Sequence, residues 1–183
     1  AFLFVSGLFV AYAGMGTRSL NWKTVRVRLL NLLVPFVIWS AVWFVGDALR
    51  GIAYTPLEYI RRLAIGKADG GTYFFVPVLC QFYLLSPLLV HMAKRHGKLL
   101  LLAAALVQVA VVGSEYLWLM GLRWPGLDLV ARLGPKYLFP RWAFYFPCGI
   151  VFALNVTQFK HRLEQHRGHI LAAAVALGLL ALI

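Results

Sequence analysis

Charged residues are scarce in this sequence, and acidic residues are the scarcest. Of 183 residues, 13% are charged and six are Asp or Glu, whereas 62% are hydrophobic. A soluble domain carries about 25% charged residues, and a chain this short has too much surface to bury so many apolar side chains in one core. The scarcity of charge therefore argues against an ordinary soluble domain and favours a protein that is solvated by lipid.

The motifs of well-known soluble enzymes are missing as well. The sequence has no Gly-x-Ser-x-Gly elbow, no phosphate-binding loop ending in Gly-Lys-Ser/Thr and no His-Glu-x-x-His pair. Its two cysteines, Cys80 and Cys148, lie in separate apolar runs without the spacing of metal ligands. We expect both cysteines to be packing residues, and we predict neither a metal site nor a disulfide framework.

What the sequence does contain is a series of apolar runs separated by basic residues. The runs cover residues 1–15, 29–48, 72–92, 98–120, 137–155 and 169–183. About 20 residues are needed to cross the hydrocarbon core, and backbone polar groups in lipid must be satisfied within the chain, so the runs predict helices. We predict an all-α, polytopic transmembrane bundle of about six spans, with residues 1–183 forming one domain in the inner or plasma membrane.

The net charge of +12 is distributed between the apolar runs. The positive-inside rule places the loops after the first, third and fifth runs at the cytoplasmic face. The basic residues of these three loops are Arg18, Lys23, Arg26, Arg28, Lys94, Arg95, Lys98, Lys160, Arg162 and Arg167. No aromatic stacking platform accompanies them, so anionic headgroups or an anionic ligand at the membrane surface explain the charge better than a nucleic acid.

The longest loop on the other side contains its own helix signal. The segment Thr55-Pro56-Leu57-Glu58 reads as a capping box with Pro at the first helical position. Leu57, Ile60 and Ala64 then share one face, and Gly66 can end the helix. We predict a short helix that lies in the membrane interface.

Polar and proline residues inside the runs lead to two further expectations. The prolines at 35, 77, 87 and 147 can kink their helices, because each removes a backbone donor. The amides of Gln81, Gln108 and Asn155 are expected to form hydrogen bonds between helices.

The candidate ligand-binding residues lie at opposite ends of the runs. Lys23 and Arg26 are three apart and share a helix face, whereas Arg28 points elsewhere. Arg binds phosphate through a planar fork, so these residues are candidates for an anionic donor, the alternative being an ordinary positive-inside anchor. Asp47 and Glu115 fall toward the other side, where they are candidates for contact with an acceptor or for a purely structural role.

Four stretches together resemble the acyltransferase 3 family of integral membrane acyltransferases. They are FLFVSGLF at residues 2–9, RVRLLNLLVPFVIWS at 26–40, YFFVPVLCQFYLLSP at 73–87 and FYFPCGI at 144–150. The resemblance implies a bundle of about ten spans in the full-length protein. It also implies transfer of an acyl group, often acetyl, from cytoplasmic acyl-CoA to a hydroxyl of an exported sugar or glycolipid, with acyl-CoA as donor substrate and no bound cofactor.

The resemblance also carries expectations about the site. The chain starts at Ala1 rather than Met and stops inside an apolar run at Ile183, so we expect a piece covering the second to seventh spans. By the resemblance, the catalytic histidine is expected upstream of Ala1, and no residue here is assigned that role. Arg28 matches the first arginine of the family's Arg-x-x-Arg motif, whereas the second position holds Asn31. The competing hypotheses are a transporter or flippase and a membrane scaffold without a ligand.

Overall fold

The computed structural model describes residues 2–15, 22–67, 71–121 and 134–165, together with Gly126 and Val130. The helices within these ranges are α1 (Phe2–Met15), α2 (Trp22–Leu49), α3 (Pro56–Ala64), α4 (Phe75–Leu119), α5 (Tyr145–Leu154) and α6 (Val156–Gln165). Short 3-10 turns occupy Thr72–Phe74 and Phe139–Trp142, and the described ranges contain no strand. The all-α prediction is confirmed, and α2 and α4 are long and apolar enough to cross a membrane.

Helix α2 begins earlier than the apolar run predicts. The run was expected to start at residue 29 after a basic loop, but the helix begins at Trp22, so Lys23, Arg26 and Arg28 belong to its first two turns. The assignment of these three residues to a loop is therefore wrong. The reason is that a membrane helix can continue into the headgroup region, where long basic side chains keep their charge in water.

Helix α4 reverses direction at His96. Its backbone is non-helical there, with φ −142° and ψ 52°. The side chain of Gln81 accepts a hydrogen bond from the N–H of Phe139. Glu115 forms an ion pair with Arg141, which follows Phe139 by two residues. A straight helix would separate Gln81 from Glu115 by about 51 Å, so residues 75–95 and 97–119 must run antiparallel. The third and fourth runs are thus two helical segments joined by a very short basic turn, as the sequence predicted.

The core forms where α1, α4 and α5 meet. Phe82 of α4 stacks on Phe146 of α5 with ring centroids 4.8 Å apart, and both side chains are fully buried. Helices α1 and α5 cross closely at two glycines: a Cβ on Gly7 would lie 2.2 Å from the carbonyl oxygen of Phe146, and one on Gly149 would lie 2.0 Å from that of Phe4. Small residues let membrane helices approach backbone to backbone in this way.

The fifth run does not form one continuous helix. Residues 134–138 are irregular, the 3-10 turn follows, and α5 covers only Tyr145–Leu154, so the expected span over 137–155 is shorter than predicted. Pro147 does not interrupt α5, because it lies in the first turn, where no intrahelical donor is needed. Pro77 likewise lies in the first turn of α4 and does not interrupt that helix. The bend in α4 is at His96 rather than at Pro87. The sixth run, 169–183, lies outside the described residues.

Helix α3 has the predicted caps. The Thr55 hydroxyl accepts from the backbone N–H of Glu58 at 3.3 Å, and the Glu58 carboxylate accepts from that of Thr55 at 2.9 Å. At the other end, Gly66 has φ +67°, and the N–H of Lys67 donates to the carbonyl of Arg62 at 2.8 Å. This is the glycine-based C-terminal motif in which a left-handed residue ends the helix. Within α3, Leu57 and Ile60 are exposed, as expected for a helix lying in an interface.

Candidate functional site

The two ends of the bundle differ in chemistry. One end, here called the basic end, contains Lys94 and Lys98 beside the bend of α4, and Lys94 Nζ donates to the carbonyl of Gly14 near the end of α1. The other end, here called the aromatic end, contains the first residues of α1, α4 and α5. The sequence-based orientation, in which the basic end faces the cytoplasm, stays a prediction.

Of the three donor-site candidates, Arg28 is half-buried against α1, whereas Lys23 and Arg26 are exposed. Arg28 Nη2 donates to the carbonyl oxygen of Phe9 at 3.1 Å, and its guanidinium carbon lies 5.9 Å from the centroid of the Tyr83 ring. The separate direction of Arg28 follows from the 100° turn per residue of a helix, as predicted. The three residues therefore do not form one cluster.

The surroundings of Arg28 leave it able to bind a ligand. Among the described contacts, the ring of Tyr83 is the aromatic group nearest to the guanidinium. A guanidinium has five N–H donors, and within the described residues one contact, to Phe9, is a hydrogen bond. The remaining donors suit a phosphate oxygen or the carbonyl oxygen of an acyl group.

The carboxylate of Asp47 belongs to a network at the end of α2. The Tyr54 hydroxyl donates to Asp47 Oδ2 at 3.0 Å, and Arg50 Nη1 lies 4.0 Å from Asp47 Oδ1. The guanidinium of Arg62 stacks over the Tyr54 ring at 4.0 Å, which ties α3 to the same network. These contacts join Asp47 to the segment between α2 and α3.

The carboxylate of Glu115 belongs to a different network. It forms an ion pair with Arg141 of the 3-10 turn, and Arg141 also donates to the carbonyl of Gly134 at 2.9 Å. Asp47 and Glu115 share no partner among the described contacts, so the structure does not bring the two acceptor-side candidates into one cluster. Sequence reasoning missed the role of Arg141, because nothing local to that residue indicates a partner 26 positions away.

Two glutamines hold the segment that precedes α5. Gln81 Nε2 donates to the Tyr137 carbonyl at 2.7 Å, and Gln81 Oε1 accepts from the Phe139 N–H at 3.0 Å. Gln108 Oε1 accepts from the Phe144 N–H at 3.0 Å. Both amides therefore join α4 to the segment before α5, whereas the sequence predicted hydrogen bonds between helices. Asn155 differs, because its amide donates to the carbonyl of Val151 one turn earlier, so the expectation of a bond between helices is wrong there.

An open cavity of about 490 Å³ lies at the aromatic end. Residues from α1, α4 and α5 line it, among them Phe2, Phe75, Val78 and Tyr145. Trp142 lines it as well, and its indole N–H is held by the Lys136 carbonyl at 2.9 Å. The lining is mostly apolar and aromatic, which suits a hydrocarbon chain or the face of a sugar ring. Sequence reasoning did not identify this cavity, because its walls come from three distant segments.

Metal binding has no support within the described residues. No three His, Cys, Asp or Glu side chains of those residues are grouped so as to hold an ion. Cys80 and Cys148 are both free thiols in helices α4 and α5, where each is partly buried.

Comparison with known proteins identifies the family. The model of the acyltransferase 3 family, described as an acyltransferase domain, matches residues 1–183. No curated protein and no solved structure matches the chain. Since the match covers the full length of the sequence, the family predicted from the four motifs is confirmed, and the reaction class is transfer of acyl groups other than aminoacyl groups. The chain, an all-α membrane bundle, belongs to the acyltransferase 3 family.

Proposed function

We propose that the chain is part of a multi-pass enzyme of the inner or plasma membrane that moves an acyl group, acetyl in the simplest case, across the bundle. Acyl-CoA binds at the basic end, and a hydroxyl of a sugar or glycolipid is acylated at the aromatic end. In the reaction the acyl carbon–sulfur bond breaks and a carbon–oxygen bond forms. The hydroxyl proton leaves with the CoA thiolate as the free thiol, so no further reactant is needed.

The position of Arg28 is the observation that supports this proposal most. Along α1, the contact of Lys94 is at Gly14, that of Arg28 is at Phe9, and the cavity begins at Leu3. With a rise of 1.5 Å per residue, Arg28 lies about 8 Å inside the basic end and about 9 Å from the cavity. A charged side chain inside a membrane bundle is costly and is typical of a substrate pathway.

We assign the following roles to the described residues. The exposed Lys23 and Arg26 attract the anionic donor to the surface. Arg28 holds a donor oxygen inside the bundle. On the acceptor side, Asp47 and Glu115 accept hydrogen bonds from sugar hydroxyls with the lone pairs that Tyr54 and Arg141 leave free. The general base is not assigned to any of these residues.

The proposal is tested by CoA binding to the full-length protein in a neutral detergent. Replacing Arg28 by Ala removes a charge-assisted hydrogen bond of about 2 kcal/mol, so the Kd should rise about thirtyfold. Arg28→Lys should restore part of the affinity, because it keeps the charge and loses the planar fork. Arg95→Ala is the control, since Arg95 is exposed at the same end.

The outcome is read together with thermal stability, because Arg28 also contacts Phe9. A variant that melts like the parent and binds CoA about thirtyfold more weakly supports the donor role. If Arg28→Ala binds CoA as tightly as Arg95→Ala does, Arg28 is not in the donor site. Coupled flux of a solute through liposomes without any acyl transfer would instead favour the transporter hypothesis.

A further inference from the structure

A polar cleft lies at the basic end, separate from Arg28 and from the apolar cavity at the aromatic end. It occupies about 320 Å³ between the bend of α4 and the corner where α5 meets α6. The polar residues that line it are Lys94, Lys98, Asn155 and Gln158. None of its lining residues is acidic. The cleft is therefore positively charged, and it opens at the end that the basic loops place at the cytoplasmic face.

The two lysines of the cleft differ in how they are held. Lys94 is fixed by its hydrogen bond to Gly14, which joins α4 to the end of α1. Lys98, on the other side of the bend at His96, also lines the cleft and has no hydrogen bond or ion pair with any residue in the described part of the chain. Two ammonium groups that line one cleft repel each other, and a bound anion would reduce that repulsion.

The opposite wall supplies neutral hydrogen-bonding groups. The Asn155 amide nitrogen is used by the Val151 carbonyl, which holds the side chain in place and leaves its oxygen unused among the described contacts. Gln158, one turn further along, is exposed on the same wall. The ring centroids of Phe159 and Phe152 lie 5.1 Å apart, so an aromatic contact also joins α5 and α6 at this corner.

We propose that this cleft binds a phosphate group, with Lys98 as the main ligand and Lys94 and Gln158 as supporting ligands. Two lysines and a neutral amide suit a compact dianion or a phosphodiester, since each ammonium supplies several donors. The phosphate has two possible sources, the CoA part of the donor or the headgroup of an anionic lipid. The first source rests on the proposed function, whereas the second does not.

Lys98→Gln is the informative substitution, because Lys98 has no hydrogen bond or ion pair to lose within the described residues. Arg95→Gln is the matched control, since it removes the same charge from a neighbouring position that does not line the cleft. The first arm measures the Kd of CoA and of dephospho-CoA for the delipidated full-length protein in neutral detergent. The second arm measures retention of phosphatidylglycerol by native mass spectrometry.

The two arms separate the sources. If CoA supplies the phosphate, Lys98→Gln weakens CoA binding about tenfold and Arg95→Gln changes it less than twofold. If a lipid supplies it, Lys98→Gln loses the retained phosphatidylglycerol while CoA binding is unchanged. If neither ligand responds to Lys98→Gln more than to Arg95→Gln, the cleft is not a phosphate site. Failure of the parent to bind CoA would refute the donor proposal and leave the lipid arm intact as a test of the cleft.

Discussion

Replacing Gly7 by Ala tests the close crossing of α1 and α5. The added Cβ would lie 2.2 Å from the carbonyl oxygen of Phe146, whereas ordinary contact begins at 3.4 Å. The obstacle is backbone rather than the end of a flexible side chain, so the two helices must separate by 1.2 Å, the difference between those two distances. A Cβ added to Gly149 would meet the carbonyl oxygen of Phe4 in the same way, so the two helix backbones are in close contact at two points of the crossing.

The magnitude follows from this separation. Overpacking a close contact costs about 1–3 kcal/mol, because neighbouring groups are forced from their positions. For a chain of this length, about 2 kcal/mol corresponds to a fall in Tm of roughly 4–8 °C. The variants at Gly7 and Gly149 disturb one crossing, so their effects in combination should be less than additive.

Thermal unfolding in detergent, followed by light scattering or by tryptophan fluorescence, measures the effect. Gly113→Ala is the matched control, since Gly113 lies in the second half of α4 and its added Cβ would meet nothing within 4 Å. The control should keep or slightly raise the Tm, because Ala is the better helix former. Equal Tm values for the Gly7→Ala and Gly113→Ala variants would refute the close crossing.

Two further predictions concern the caps and the glutamine contacts. Hydrogen bonds from Thr55 hold the pKa of the Glu58 carboxyl below its usual range, so its contribution to α3 is present above the unfolded pKa and lost as pH falls through the folded pKa. Hydrogen-exchange protection of α3, corrected for the intrinsic exchange rate, should fall as pH drops through the folded pKa of Glu58. The Glu58→Gln variant should not show this fall, because its amide does not titrate. The same pH dependence in both proteins would contradict the capping role. Gln81→Leu removes the hydrogen bonds to Tyr137 and Phe139 and should destabilise the protein by about 1–2 kcal/mol, because each bond contributes about 0.5–1.5 kcal/mol. The Tm should fall, and Gln81→Glu should partly restore it. An unchanged Tm would show that these contacts do not stabilise the protein.

The fold was predictable where one local signal sufficed. The capping box at Thr55 and the basic turn near Lys94 both appear in the structure, because each depends on residues within a few positions. The start of α2 was misplaced, since a search for apolar residues cannot see that Lys23 to Arg28 continue the helix. The helix predicted for the fifth run was too long, because a pattern of apolar residues does not distinguish a 3-10 turn from an α-helix.

The site was predictable only in part. The direction of Arg28 away from Lys23 and Arg26 follows from helix geometry, but its contacts with Phe9 and Tyr83 depend on how three helices pack. The partner of Glu115 and the walls of the cavity at the aromatic end depend on long-range packing in the same way. The family itself was recognisable from four short motifs in the right order, which is information of a different kind from spacing or charge.

The most direct test of the proposed function is the sidedness of acyl transfer. The full-length protein is reconstituted in sealed liposomes with one orientation, radiolabelled acetyl-CoA is supplied only at the basic end, and a sugar or glycolipid acceptor is supplied only at the aromatic end. The account predicts label on the acceptor, and much less of it with Arg28→Ala than with Arg95→Ala. Label that appears only when donor and acceptor are on the same side, or none with a folded protein and a range of acceptors, would contradict it.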